Sequence, residues 1–470
     1  MQRTKIICTI GPACSEPKVI REMVDAGMDV ARLNLSHGNH ELHKKYIDAV
    51  KSVREKVDTP LGILVDLKGP EFRIREFENG KVNLEKGANF TLTTAKILGN
   101  ENIVSVTYKP LPELLQSGDK ILLSDGLIEL EVVSVNKFDI LTKVVVGGEL
   151  QNNKSLNLPE VKVEMPFISA SDKEDIRFAI ENDVDFIALS FVRTADDVKT
   201  VRKFINENGG KEKQIKLISK IENQHGVDNI DSIIEASDGI MIARGDLGVE
   251  VELRLIPIYQ KYITERCLKA GKHVIVATQM LESMIENARP TRAELTDVAN
   301  AVLDGASALM LSGETAVGKN VVKAVETMNN VIAECEENFD IKPYARVLSK
   351  PTHSQSIAFA CKALSETIGA SAILVTSQSG DTALDVAGFR PKTDIIVCTP
   401  NEKTYNQMSL CWGIKPLHIA EFDDVEDLLK KAKQLALKNK FVQKDDVVIE
   451  TASLPLKKAD ETNFLKIDRI

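Results

Sequence analysis

At six points in the chain an apolar run stops and a charged or hydroxyl residue follows at once. In Ala31-Arg32-Leu33-Asn34-Leu35-Ser36-His37-Gly38 an extended backbone puts Arg32, Asn34 and Ser36 on one side. The others are Asp66-Leu67-Lys68-Gly69-Pro70-Glu71-Phe72-Arg73, Ser219-Lys220-Ile221-Glu222-Asn223, Ala243-Arg244-Gly245-Asp246-Leu247-Gly248, Ala277-Thr278-Gln279-Met280 and Ser312-Gly313-Glu314-Thr315. Glu222 and Asp246 are hard oxygen donors, the kind that hold Mg²⁺ while leaving positions open for a substrate phosphate. Arg32, Arg73, Lys220 and Arg244 gather positive charge. Gly245 and Asp246 fall at a strand-to-helix turn, where unpaired N–H groups can hold a carboxylate or phosphate. A metal, fixed cations and backbone donors together suit phosphoryl transfer, which is mostly positioning and charge stabilisation. A lone strand-end Lys or Asp is more often a solvated rim residue or ion-pair partner, by about three to one. Six compatible ends strain that bland account, but residue types alone leave enolase-like, aldolase-like and phosphotransferase barrels open.

The elements that must position these groups alternate. Eight short apolar runs, at 4–10, 30–34, 61–67, 185–191, 216–222, 239–243, 273–278 and 306–312, read as buried strands. Helical period follows most of them, at 17–26, 40–55, 195–207, 225–236, 256–270, 292–303 and 321–337. Eight strand–helix units with right-handed crossovers predict a TIM (β/α)8 barrel whose active site lies on the loops after the strands. Between Pro70 and Pro166 the helical period lapses into short strands at 81–85, 89–94, 120–124, 128–133 and 141–146, with Asn79-Gly80, Asp125-Gly126 and Gly147-Gly148 as turns. The expected fold class is therefore α/β: a catalytic barrel over 1–69 and 167–343, an inserted β-barrel-like lid domain over 70–166 and a C-terminal α/β domain over 344–470. The last is read as helix 353–368, strand 372–376, helix 382–389, strand 394–398, helix 401–411, strand 415–419, helix 424–439, strand 446–451 and a final strand near 464–470.

Composition narrows the partners. The 470 residues are 43% hydrophobic and 27% charged, as in ordinary globular chains, so disorder, collagen and coiled coil are excluded. A net charge of −9 argues against nucleic acid or an anionic membrane as partner. No apolar run approaches the ~20 residues needed to span a bilayer. The start, Met1 to Cys8, turns polar too soon for a secretion signal, so the cytoplasm and reduced thiols are expected for the seven scattered cysteines. Three decoys are set aside. Gly313 to Asn320 nearly matches a P-loop but ends in Asn, which has no hydroxyl for Mg²⁺. His37, His40 and His43 spread around a helix start, with only His37 near the barrel mouth. Asn34-Leu35-Ser36 is a glycosylation sequon only in a secreted chain.

At the same strand ends the chain resembles the pyruvate kinase family. The matching strings include Thr4-Lys-Ile-Ile-Cys-Thr-Ile-Gly-Pro12, Ala31 to Gly38, Asp66 to Arg73, Asn157-Leu-Pro159, Ile218 to Asn223, Ile242 to Glu250, Ala277-Thr-Gln-Met-Leu-Glu-Ser-Met284, Arg289-Pro-Thr-Arg-Ala-Glu294 and Met310 to Ala316, in order along the whole chain. The resemblance implies transfer of a phosphoryl group from phosphoenolpyruvate to ADP, giving pyruvate and ATP in lower glycolysis. By that resemblance Arg32 would bind the substrate phosphate. Arg73 and Lys154 would face the nucleotide phosphates, with Asn34 and His37 beside them. Asn34, Ser36, Asp66 and the carbonyl of Leu67 would hold K⁺, and Glu222 and Asp246 would hold Mg²⁺, which Mn²⁺ can replace. Ala243, Arg244, Gly245 and Asp246 would cradle the substrate carboxylate, and Lys220 would stabilise the phosphoryl group and the enolate. Thr278, with Ser312, would belong to the network that protonates that enolate. Glu71 matches members that require K⁺, while Leu67 and Ile74 match members that do not. A sugar-phosphate effector at Thr376-Ser377-Gln378-Ser379-Gly380-Asp381-Thr382 and a homotetramer are further implications, although Asp381 would repel a phosphate and a plain helix cap explains that loop equally well. The rivals are a pyruvate aldolase barrel, which has no need of Arg73 and Lys154, and a catalytically silent metabolite sensor.

Overall fold

The structure is a computed structural model that describes residues 2–159, 161, 166–339, 350–420, 424–454 and 461–470. Eight parallel strands close on themselves: β1 (Lys5–Thr9), β2 (Val30–Asn34), β3 (Gly62–Asp66), β4 (Phe186–Leu189), β5 (Lys216–Ile221), β6 (Gly239–Ala243), β7 (His273–Ala277) and β8 (Ala308–Leu311), with β8 pairing back to β1. Strands covered on both faces read as unbroken apolar runs, and β3, Gly-Ile-Leu-Val-Asp, is buried throughout. Inside, Ile7, Leu64, Ile218, Met241 and Ile275 pack as one plug, and Leu410 from the C-terminal domain completes it. Leu410 enters at the start of the strands, because its neighbour Ser409 lies against Gly62, the first residue of β3. Outside, a second core joins the strands to the surrounding helices. Several helices start on capping boxes, Ser169 with Asp172, Thr194 with Asp197 and Thr291 with Glu294; one such cap is worth about 1 kcal/mol.

Of the barrel helices that periodicity does not anticipate, two bear on the site. Ala170–Glu181 turns Asp172 and Asp175 inward beside Ile176 and Ala179, which blurs its apolar stripe. Arg244–Glu250 starts directly at the end of β6 and is too short to show a period.

Between β3 and β4 the chain builds a seven-stranded sheet in the order Phe72–Arg73, Ser155–Asn157, Lys120–Leu123, Ile128–Val135, Asp139–Val146, Asn89–Thr93 and Ile103–Ser105. A separate pair joins Gly148–Gln151 to Lys81–Leu84, and the unit has its own core around Phe90, Leu92 and Leu130. Gly147-Gly148 is not the hairpin turn expected from its composition. The chain runs through it from the large sheet into the small one, and Gly147 is required because a Cβ there would sit 2.2 Å from the Leu84 carbonyl oxygen.

The C-terminal sheet is ordered Ile414–His418, Asp394–Thr399, Ala372–Thr376, Val447–Ala452 and Phe464–Arg469, with only the last strand antiparallel. Helices His353–Ile368, Asp381–Gly388, Glu402–Gln407 and Val425–Lys438 accompany it. The expected boundary at 343/344 lies outside the described residues. All seven cysteines are free and buried. Among the described residues no helix is long and apolar enough to cross a membrane.

Candidate active site

Register brings the strand ends together. Thr9 is level with Arg32, Asn34 with Asp66, and Asp66 with Ala188. Arg32 donates from Nε to Asp66 Oδ2 at 2.8 Å and from Nη1 to Thr9 Oγ1 at 2.8 Å. On the other side of Asp66, Lys220 Nζ stands 3.3 Å from Oδ1 and 2.8 Å from Glu222 Oε1. All four charged side chains are buried, so each depends on the others to offset its lost hydration. Burial would raise the Asp66 carboxyl, but Lys220 and Arg32 outweigh it and hold the group below the usual range. Burial also works against the Lys220 ammonium, and there Asp66, Glu222 and Asp246 win, keeping it protonated well above the ordinary lysine value. Glu222 is raised, chiefly by burial and further by Asp246, against the pull of Lys220.

Glu222 accepts the Phe191 N–H through Oε2 at 2.6 Å, while Oε1 is buried with the Lys220 ammonium as its neighbour at 2.8 Å. Asp246 is exposed at the start of its helix, yet its charge is felt by Lys220, Glu222, Glu71 and Glu250. It therefore stands over the mouth, between the barrel and the inserted sheet. A buried carboxylate whose oxygen meets only the Lys220 ammonium, with the exposed Asp246 carboxylate acting on it, is a donor set that fits Mg²⁺, which takes one or two carboxylates and completes its shell with substrate oxygens and water. Among the described residues no group of three or more His, Cys, Asp or Glu side chains forms a ready-made cage. Of the oxygens expected around K⁺, those of Asn34 and Asp66 are on residues level in the register. Asn34 Oδ1 accepts the Ser36 N–H at 3.1 Å, and the Leu67 carbonyl follows Asp66 directly. All are hard oxygen donors suited to such a cation.

Arg244 differs from its expected part in the positive field. Its guanidinium is turned away from the mouth, with Nη2 donating to the Thr278 carbonyl at 2.7 Å and Nη1 to Asp297 at 2.9 Å. That grip has a function of its own. Thr278 and Gln279 sit at φ of 69° and 55°, a conformation that costs a β-branched residue on the order of 1–3 kcal/mol. The bent loop places Thr278 Oγ1 where it accepts the Gly245 N–H at 2.8 Å and donates to the Ala277 carbonyl at 2.6 Å. The Gly245 amide is thus already partnered. Ser312 Oγ is buried with no partner. Arg73 is held at the edge of the inserted sheet by Glu71 at 2.8 Å and by the Asn153 carbonyl at 2.7 Å, with Lys154 next in sequence and half-buried. His37 is exposed, and its carbonyl lies 2.6 Å from His43 Nε2. The P-loop lookalike is taken up elsewhere, since Lys319 Nζ pairs with Glu286.

Sequence reasoning missed Ser190. Its hydroxyl accepts from Lys220 Nζ at 2.7 Å and donates to the Leu67 carbonyl at 2.8 Å, tying the ammonium to the oxygens of β3. Phe191 beside it adopts φ 58° and so aims its N–H at Glu222. The available signal was positional: β4 also ends in a hydroxyl residue, Leu189-Ser190.

In the C-terminal domain, Thr376 to Thr382 is largely satisfied from within. Ser377 Oγ accepts the Gly380 N–H at 3.0 Å, and Ser379 Oγ donates to Asp381 at 2.9 Å.

Comparison with known proteins is consistent along the chain. Residues 1–325 match the family profile "Pyruvate kinase, barrel domain" and residues 355–468 match "Pyruvate kinase, alpha/beta domain". A pyruvate kinase from Sporosarcina psychrophila is 43% identical, over 99% of this chain and 80% of that protein. One from Clostridium acetobutylicum is 40% identical over 99% of both. The crystal structure of a pyruvate kinase from Cryptosporidium parvum superposes with a TM-score of 0.93 at 38% identity, covering 100% of this chain and 96% of that one.

Proposed function

The chain belongs to the pyruvate kinase family and transfers the phosphoryl group of phosphoenolpyruvate to ADP, and we propose how its own residues divide that work. Arg32, fixed by Asp66 and Thr9, binds the phosphate of phosphoenolpyruvate. An ADP oxygen attacks the phosphorus in line as the bond to the enol oxygen breaks. Lys220, kept charged and anchored by Asp66, Glu222 and Ser190, neutralises the phosphoryl oxygens and then the enolate oxygen. The enolate takes a proton at carbon through Thr278, whose hydroxyl is held in place by the strained loop, and the buried, unpartnered hydroxyl of Ser312 is assigned to the same relay. Arg73 and Lys154 face the nucleotide phosphates from the inserted domain, beside Asn34 and His37. Closure of that domain excludes the water that would otherwise take the phosphoryl group.

Members of the family generally require a divalent metal and potassium. In this chain Glu222 and Asp246 would hold Mg²⁺, and Asn34, Ser36, Asp66 and the Leu67 carbonyl would hold K⁺. Bound there, the metals supply positive charge to the oxygens that become negative during transfer. The Ala243 to Asp246 turn would receive the substrate carboxylate, with Arg244 acting through the Thr278 loop. Domain limits at 69/70, 166/167 and 343/344, a homotetramer and a cytoplasmic setting complete the reading. An effector phosphate at Thr376 to Thr382 would have to displace Asp381 from Ser379.

The single observation that carries this assignment is the buried Lys220 ammonium held between Asp66, Glu222 and Ser190 at the mouth of the barrel. The test is Lys220→Met, assayed for pyruvate formation from phosphoenolpyruvate and ADP with Mg²⁺. The variant is expected to fold and to lose turnover by about 10³-fold or more; retained turnover would remove Lys220 from the chemistry. The same assay on the unaltered enzyme, with and without K⁺, decides whether Asn34, Ser36 and Asp66 form a working cation site.

A further inference from the structure

The inserted domain hangs from the barrel by two strands of chain, one leaving after Asp66 and one returning before Ala170. Both meet a single carboxylate. Asp172, buried in the first turn of helix Ala170–Glu181, accepts the Ser169 N–H through Oδ2 at 2.9 Å and the Gly69 N–H through Oδ1 at 3.1 Å. Ser169 belongs to the returning connection and Gly69 to the outgoing one. Gly69 cannot be another residue without strain: φ is 71°, and a Cβ would lie 2.8 Å from Ser190 Cβ. One turn on, Asp175 is 2% exposed. Its Oδ1 lies 2.6 Å from His40 Nε2, while Oδ2 has no hydrogen-bond partner and faces Lys68 Nζ at 3.7 Å. His40 opens the helix after the β2 loop and stacks on Phe178 of helix Ala170–Glu181, ring centroids 4.5 Å apart. Capping alone would use one Asp172 oxygen and would not bury Asp175, so a stability role leaves half of these contacts without a reason.

We propose that Asp172 and Asp175 are positioning residues that pin the hinge of the inserted domain. Asp172 clasps its outgoing and returning chains together, and Asp175 fixes Lys68 and His40 on either side of the cation-site loops. Neither touches the reacting atoms. They set where the hinge turns, and hence where Arg73 and Lys154 meet the nucleotide. The inference rests on the reading that those two residues face ADP.

The test is Asp172→Asn in the full chain, which swaps one acceptor oxygen for a donor amide facing a donor N–H. One lost hydrogen bond to a charged group corresponds to about a tenfold change. The expected results are a KM for ADP raised about tenfold with the KM for phosphoenolpyruvate within about twofold, and hydrogen exchange at Gly69 and Ser169 faster by about tenfold. Asp172→Glu, which keeps both oxygens, should recover part of each. A folded Asp172→Asn enzyme with unchanged KM for ADP and unchanged exchange at Gly69 would overturn the proposal. If that variant does not fold, Asp175→Asn leaves the capping box intact and should show the same signs more weakly. Failure of both to fold would assign the carboxylates to general stability and also overturn it. Should Arg73→Met leave the KM for ADP unchanged, the nucleotide reading falls, while exchange at Gly69 still reports on the pin by itself.

Discussion

Glu222 in the barrel and Glu450 in the C-terminal sheet look alike one residue at a time. Both are buried, and both are raised above the ordinary carboxylate range chiefly by burial. Their surroundings differ. Glu222 follows the last residue of β5, where Lys220 of the same strand meets Asp66, Arg32 and Asp246 from three other positions around the mouth. Glu450 sits mid-strand, paired on one side with Leu374 and on the other with Lys466. Its cations are remote, Lys433 at 3.9 Å and Lys466 at 3.7 Å, and each is held closer by Asp468, at 2.6 and 2.7 Å. A desolvated charge is therefore not enough to mark a site. What separates the two is position at a strand terminus, where several backbones deliver side chains to one point.

The comparison breaks first at Glu222→Gln. The amide can keep the Phe191 N–H and leaves Lys220 paired with Asp66, so the fold should survive with no fall in thermal midpoint. Turnover should drop on the order of 10³-fold, read as pyruvate release under saturating substrates. An enzyme within tenfold of the original would make Glu222 no more functional than Glu450. A smaller effect is expected at Arg244→Lys. Lysine keeps the charge but loses the planar fork that reaches the Thr278 carbonyl and Asp297 together. The strained loop should relax and turnover should fall roughly 10- to 100-fold. Unchanged turnover in a folded Arg244→Lys enzyme would mean that the φ of 69° at Thr278 holds without that grip.

The same contrast explains what could be read before the structure. Arg32, Asp66, Lys220 and Glu222 were legible because barrel topology turns a linear rule, polar residue after apolar run, into spatial convergence. The β-strands of the C-terminal domain were legible for a related reason, since five apolar runs punctuated by helices leave few alternatives. Ser190 was not, because a single hydroxyl at the end of an apolar run has no periodicity. The orientation of Arg244 depends on Asp297, 53 positions away, and nothing local to either residue signals the pair. Asp172 and Asp175 were hidden in the opposite way: buried acids on a helix erase the stripe by which the helix would be found. Positive φ at Phe191 and Thr278 runs against residue preference, and such local violations collect where geometry serves chemistry.

The smallest expected effect lies at Glu450, and there the sign is the informative part. Its pKa in the folded chain is raised above the ordinary 4.5, so over the window above that value the native state keeps a proton that the unfolded chain has released. Stability then falls as pH rises through that window. Glu450→Gln removes the group that must ionise against burial, and it does not strand the lysines, which stay on Asp468. The variant should be fully active and more stable than the parent at neutral pH, on the order of 1 kcal/mol. The gain should shrink toward zero near pH 4, where the parent carboxyl is also protonated in the unfolded chain. Thermal melts of both proteins across that range measure it. A gain independent of pH would mean that burial is not what raises Glu450. A loss of activity would mean that the C-terminal sheet takes part in the chemistry of the mouth, and the distinction between the two carboxylates would no longer hold.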